Sequence, residues 1–208
     1  MSLFLVLELQ EQNNGILWWR STGDKKPTCN IENAMQRQWP EIEPQAFSLD
    51  NATRTMAVPV EVAQRYTRQF VPVFASPKAM HEFGDRVQAA IAAINGKKAA
   101  PEPAYVMRME PSMSPLFMVL LSSNCEGYEV ELESAGEFSI ADAAKACSIS
   151  NARRHRPGKK AAETSGADIV VPKSVAAQSA IRAVSNSRNI VRTLRDESVL
   201  YRQTLKSF

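Results

Sequence analysis

Histidine and cysteine are scarce in this chain, which has 2 and 3 of them respectively among 208 residues. Cys29, Cys125 and Cys147 form no CxxC pair, and an odd number leaves no closed disulfide framework; the expectation is a reducing, cytoplasmic compartment. Neither histidine has a nucleophile or carboxylate at a recognisable catalytic spacing, and no glycine-rich phosphate loop is present, so the chain reads as non-enzymatic, without a cofactor or metal. No apolar run approaches the roughly 20 residues that a membrane helix needs. The apolar start "MSLFLVLEL" is interrupted by Glu8 and lacks a basic leader and a small-residue cleavage site, so it does not read as a signal peptide.

The composition is 44% hydrophobic and 23% charged, that of a globular protein long enough for one large domain or two small ones. The formal net charge of +3 hides an asymmetry. From Asn151 to Phe208 there are 12 Lys and Arg against 4 Asp and Glu, a net of +8. The first 150 residues therefore hold 13 basic and 18 acidic residues, a net of −5. A basic tail on an acidic body points to an anionic partner, or to a tail that is solvated or folds onto its own body.

Periodicity predicts an α+β fold. It combines an N-terminal β-hairpin with helices, an antiparallel β-meander, and C-terminal basic amphipathic helices. Leu3, Leu5, Leu7 and Leu9 alternate as a strand, Asn14-Gly15 offers a two-residue turn, and Ile16 to Arg20 returns. Trp18 and Trp19 point to opposite faces of that return. A short helix is expected from Ile31 to Gln38, a strand from Thr55 to Val60 with Pro59 at an edge or end, and a short helix through Val62, Tyr66 and Phe70.

Ser76 and Pro77 open a longer helix to Asn95, with Met80, Phe83, Val87, Ile91 and Ile94 on one stripe. His81 and Asp85 on it read as surface residues. Strands follow at Tyr105–Met109, Leu116–Leu121 and Tyr128–Leu132; the last has Glu129, Glu131 and Glu133 on an exposed face. The linker Gly96–Ala104 suggests three regions: 1–96, 104–150, and 151–208 with the basic loop and C-terminal helices.

The stretch "FSIADAAKACSISNARRHRPGKK" (Phe138 to Lys160) resembles the start of a helix-turn-helix. Ser139 caps a helix, Ala144 falls at the small crossing position, and Ala143, Cys147 and Ile149 fall at anchors. The second half departs from that pattern. Ser148 stands where a turn glycine belongs, Arg154 where an apolar anchor belongs, and Pro157 would stop the second helix. The reading is therefore a helix ending near Ile149 and an exposed basic loop carrying Arg153, Arg154, Arg156, Lys159 and Lys160.

Towards the C-terminus, Pro172 and Ser174 start a helix carrying Val175, Ile181 and Val184. After a break, a second helix runs to near Ser207. Ile190, Val191, Leu194, Tyr201, Leu205 and Phe208 fall on one side of it. Arg188, Arg192, Arg195, Arg202 and Lys206 form a basic stripe on the other. Arginine forks match phosphate oxygens, and neutralised phosphates release counterions. The expected function is nucleic-acid binding or nucleoprotein assembly through backbone contacts. The rival is an adaptor subunit whose last helix docks on an acidic protein partner.

Overall fold

The computed structural model describes residues 3–9, 15–21, 26–38, 55–109, 116–154, 167–186 and 189–205. The chain is mixed α+β with antiparallel sheets, as expected. Its two compact units are Met1–Arg68 with Ile181–Phe208, and Gln69–Ala180. The divisions between these units fall at 68/69 and 180/181.

In the first unit, strand β1 (Leu3–Glu8) lies between β2 (Gln36–Gln38) and β3 (Thr55–Pro59), antiparallel to both. Phe4, Leu5, Val6 and Leu7 are all buried, so β1 is covered on both faces. The chain does return as a hairpin, with the Glu8 N–H donating to Trp18 O and the Arg20 N–H to Val6 O, each at 2.8 Å. Leu7 faces Trp19. A two-residue turn at Asn14-Gly15 would pair Leu7 three residues further on, so the observed register is not the one expected from that turn. Asn14 itself lies outside the described residues. Gly15, with φ +73, instead sets up Ile16 and Leu17 to join a distant strand, β9 (Ile181–Val184). Trp19 is fully buried and Trp18 half-buried.

Three expected helices are shorter or absent. Residues Ile31–Asn33 make one 3-10 turn, in which the Asn30 side chain accepts from the Glu32 N–H at 3.1 Å. Ala34 is then extended, and the next residues pair with β1 as β2. Helix α1 (Val60–Arg65) starts directly on Pro59 and stops at Tyr66, so Phe70 belongs to β4 (Thr67–Phe70). Near the C-terminus, α4 (Lys173–Ser179) ends at an extended Ala180, and Ile181 and Val184 belong to β9. Extended backbone there lets Val184 O meet the Leu17 N–H at 3.0 Å.

Helix α5 (Ile190–Leu205) closes the first unit. Leu194 is fully buried among Leu5, Leu7, Leu17, Trp19, Val58 and Val62, with Ile190, Val191 and Tyr201 packed alongside. The helix is therefore part of this chain's own core. The side chain of Leu205, and all of Phe208, lie outside the described residues.

The second unit holds the expected meander and one further strand. The order is β7 (Tyr128–Glu129), β6 (Val119–Leu121), β5 (Ala104–Arg108) and β8 (Asp168–Pro172), all antiparallel. Helix α2 (Pro77–Asn95) has the expected bounds, with Ser76 Oγ accepting from the Ala79 N–H at 3.2 Å. Its Phe83 and Val87 bury against Tyr105, Met107, Leu120 and Val171, and Met80 is exposed. Helix α3 (Ile140–Arg154) lies on β5 and β8.

Gly136 is closely enclosed by its neighbours. A Cβ there would meet the Phe138 ring and Ser123 Cα at 2.8 Å, and the second of these is backbone. Gly136→Ala should therefore cost about 1–3 kcal/mol and lower the thermal midpoint by several degrees. Gly127→Ala, whose Cβ would come no closer than 3.8 Å to another atom, is the comparison. Equal midpoints for the two variants would remove the claim.

Candidate nucleic-acid interface

Helix α3 is one continuous helix. Ser139 Oγ accepts from the Asp142 N–H at 3.1 Å and caps it as expected. Ala143 and Cys147 turn inward onto Ala104, Val106 and Leu121. Ala144 is exposed, and so is Ile149 at 45%. A helix-turn-helix needs both covered by a second helix and a break at Ser148. Instead the backbone stays helical to Arg154, five residues past the expected end at Ile149.

Asn151 explains the extension. Its Nδ2 donates to Asp168 O at 3.0 Å, and its Oδ1 accepts from the Asp168 N–H at 2.9 Å. One side chain thus satisfies both backbone groups at the head of β8, and holds the last turn of α3 there. The Met109 N–H donates to Ala167 O at 3.0 Å beside it. Arg154, the last residue of α3, and Ala167, before β8, are thus both held close to this clamp. Arg153 and Arg154 thus sit on the last turn of α3, not in a loop, and their side chains are not among those described. Arg156, Lys159 and Lys160 lie outside the described residues.

The Asp168 side chain is fully buried under the clamp. Its Oδ1 accepts from Arg108 Nε at 3.0 Å and its Oδ2 from the Tyr128 hydroxyl at 3.1 Å. The Arg108 guanidinium lies 3.8 Å over the Tyr128 ring and also meets its hydroxyl. A buried carboxylate is tolerated only when its oxygens are paired and hydrogen-bonded. Sequence reasoning missed this cluster, because Arg108, Tyr128 and Asp168 come from three strands and meet only through sheet register. The one sequence signal was an aspartate opening the apolar run "DIVVP".

Burial pushes the Cys147 thiol from its ordinary 9.0 up to about 12, with the Asp168 charge adding to the effect. Burial likewise raises Tyr105 from 10.0 to about 12, helped by Glu137. A thiol held neutral in this way is not a nucleophile at neutral pH. Burial also raises Cys29.

In the first unit, α5 presents its arginines unequally. The Arg192 side chain is 84% exposed and 3.8 Å from Asp196. Arg195 is half-buried. Arg202 is also half-buried, with Nε donating to Ser198 O at 3.2 Å. Burial lowers the Arg202 pKa, but arginine stays charged at neutral pH. Glu197 is turned away onto α1, where it accepts from the Tyr66 hydroxyl and pairs with Arg65 at 3.1 Å. Arg188 and Lys206 lie outside the described residues. The ten candidate basic residues thus divide between the two units, with Arg153 and Arg154 in the second and Arg192, Arg195 and Arg202 in the first.

His81 and Asp85 are exposed on α2, 3.9 Å apart. Among the described residues no three His, Cys, Asp or Glu stand together as a metal site, and no helix is long and apolar enough to cross a membrane. Searches of family models, curated proteins and solved structures returned no match to this chain.

The raised thiol and phenol make stability fall in alkali. Below about pH 9 both groups are protonated in folded and unfolded chain alike, and stability is complete. As pH rises towards 12 the unfolded chain releases protons that the folded chain retains. Stability should therefore drop by up to about 1.4 kcal/mol per pH unit for each group. Cys147→Ala should remove one group's share of that slope between pH 9 and 11 in denaturant titrations. An unchanged slope would show that the thiol does not contribute.

Proposed function

We propose that the chain is a non-enzymatic nucleic-acid-binding or nucleoprotein-assembly protein that contacts the phosphate backbone. Its basic segment from Arg153 to Lys160 and the arginine side of α5 supply the contacts. The observation that supports the reading is the clamp of Asn151 on Asp168, which ties down the last turn of α3, where Arg153 and Arg154 stand. Charges carried on an anchored helical turn cost less entropy to place against a ligand than charges on a free chain. The burial of Leu194 supports the same reading from α5, since the apolar side is used by the core and Arg192 is left on the outside. The odd number of cysteines, with no CxxC pair, is the ground for placing it in a reducing, cytoplasmic compartment.

A second reading, docking on an acidic protein, is favoured by one observation. Leu200 on α5 is 63% exposed, an apolar group beside a charged stripe.

Binding of labelled DNA and RNA oligonucleotides, measured between 50 and 200 mM salt, separates the two readings. Phosphate contacts predict a log–log slope of roughly −0.9 per phosphate neutralised on duplex DNA. Replacing Arg188, Arg192 and Arg195 with Gln should leave the protein folded and flatten that slope by up to about three phosphates' worth. Replacing Arg153, Arg154, Arg156, Lys159 and Lys160 with Ser should weaken binding further. Leu194→Ala should instead cost about 2–5 kcal/mol of stability. Absence of binding at 50 mM salt, or affinity that ignores salt, would defeat the proposal. A Leu200→Ser variant that keeps oligonucleotide binding but loses a protein partner would establish the adaptor reading.

A further inference from the structure

Two stretches of the chain fold by one plan. Phe4 to Glu8 pair with Pro59 to Thr55, and Ala104 to Arg108 pair with Pro172 to Asp168 in the same antiparallel register. Each pairing ends on a proline that caps a short helix with nearly the same backbone, φ −56 and ψ 138 at Pro59, φ −55 and ψ 143 at Pro172. The third and fourth residues after each proline are the buried ones, Val62-Ala63 and Val175-Ala176.

The correspondence continues through irregular backbone, where coincidence has least room. One constant shift in residue number carries the pairs Trp19–Thr28 and Ser21–Ala34 onto Leu120–Glu129 and Ser122–Ala135. The same shift carries three hydrogen bonds, Asn33 N–H to Asn30 O, Ala34 N–H to Ile31 O and Met35 N–H to Arg20 O. They land on Ser134 N–H to Glu131 O, Ala135 N–H to Leu132 O and Gly136 N–H to Leu121 O.

The chain then does something that the sequence order would not suggest. In the first unit the Leu17 N–H donates to Val184 O, Ile16 faces Ser185, and the Asn186 N–H donates to Gly15 O. In the second unit the Met118 N–H donates to Val71 O, Phe117 faces Pro72, and the Val73 N–H donates to Leu116 O. Residues 15–17 and 116–118 are equivalent, and so are 184–186 and 71–73. Each half therefore receives its closing strand end from the other half. The long helices follow suit. Helix α2, from the first half, buries Phe83 and Val87 in the second unit's core, and α5, from the second half, buries Leu194 in the first unit's core.

We propose that the chain is a tandem duplication whose halves, 3–95 and 104–205, are interlocked by exchange. Each half completes the other's core with a strand end and a long helix. The Gly96–Pro103 connection is then not what holds the halves together, and the two behave as an obligate heterodimer carried on one chain.

The test is to place a protease site after Lys98 in the full-length chain and cut it. The two pieces should co-elute at the parent's volume in native size exclusion. Their thermal midpoint should become dependent on protein concentration, because unfolding now releases two chains. Separation of the pieces under native conditions would overturn the proposal, as would two unfolding transitions that ignore concentration. Native-state hydrogen exchange on the unaltered chain gives a second measure. The Leu17 and Met118 amides should exchange as slowly as those of β1 and β5. Fast exchange of both, with β1 and β5 still protected, would also overturn it.

Discussion

The hydrogen bond from the Leu17 N–H to Val184 O, with its counterpart from Met118 to Val71, is the constraint on which the rest depends. A buried amide without a partner costs about 1–3 kcal/mol, so a strand edge inside a core has to be paired. Here the acceptor in each unit comes from the far side of the sequence. Each strand end is followed, in the same unit, by a long helix. Helix α5 buries Leu194 against Leu5 and Trp19, and α2 buries Phe83 against Tyr105 and Met107.

The same bookkeeping of polar groups governs the candidate interface. Asp168 sits at the head of a strand, buried, with a charge that has to be answered. Arg108 and Tyr128 answer the carboxylate, and Asn151 answers the backbone. Breaking any one partner would leave a buried charge or amide exposed to low dielectric, which is far more costly than losing a surface pair. The last turn of α3, which carries Arg153 and Arg154, is thus tied to the head of β8. The most exposed arginine described on α5, Arg192, has only a solvent-exposed, screened pair with Asp196, worth little to stability. At Arg192, then, the charge on display is not one on which the core relies.

Elements with their own local signals were legible in the sequence. Ser76-Pro77 and the stripe from Met80 to Ile94 placed α2 at its observed bounds, because capping and amphipathic spacing are properties of neighbouring residues. The meander strands and the apolar side of α5 were legible for the same reason. Elements whose state is decided by a distant partner were misjudged. Ile181 and Val184 carry helical spacing after α4, yet form a strand because a remote edge needs one. Gln36 to Gln38 follow a helix start, yet pair with β1. The basic residues were found by composition, but the anchor that presents them, Asn151 on Asp168, was not.

By itself the sequence determined the α+β class, the caps and stripes of the long helices, and the segregation of positive charge into the last third of the chain. These follow from interactions within a few residues, where spacing and side-chain chemistry leave little freedom. Tertiary structure alone decided the register of the hairpin, the continuity of α3 through Ser148, the pairing of Arg108 with Asp168, and the unit in which each long helix lies. Those depend on which remote backbone group satisfies a given amide or carboxylate. Local periodicity carries no record of that partner.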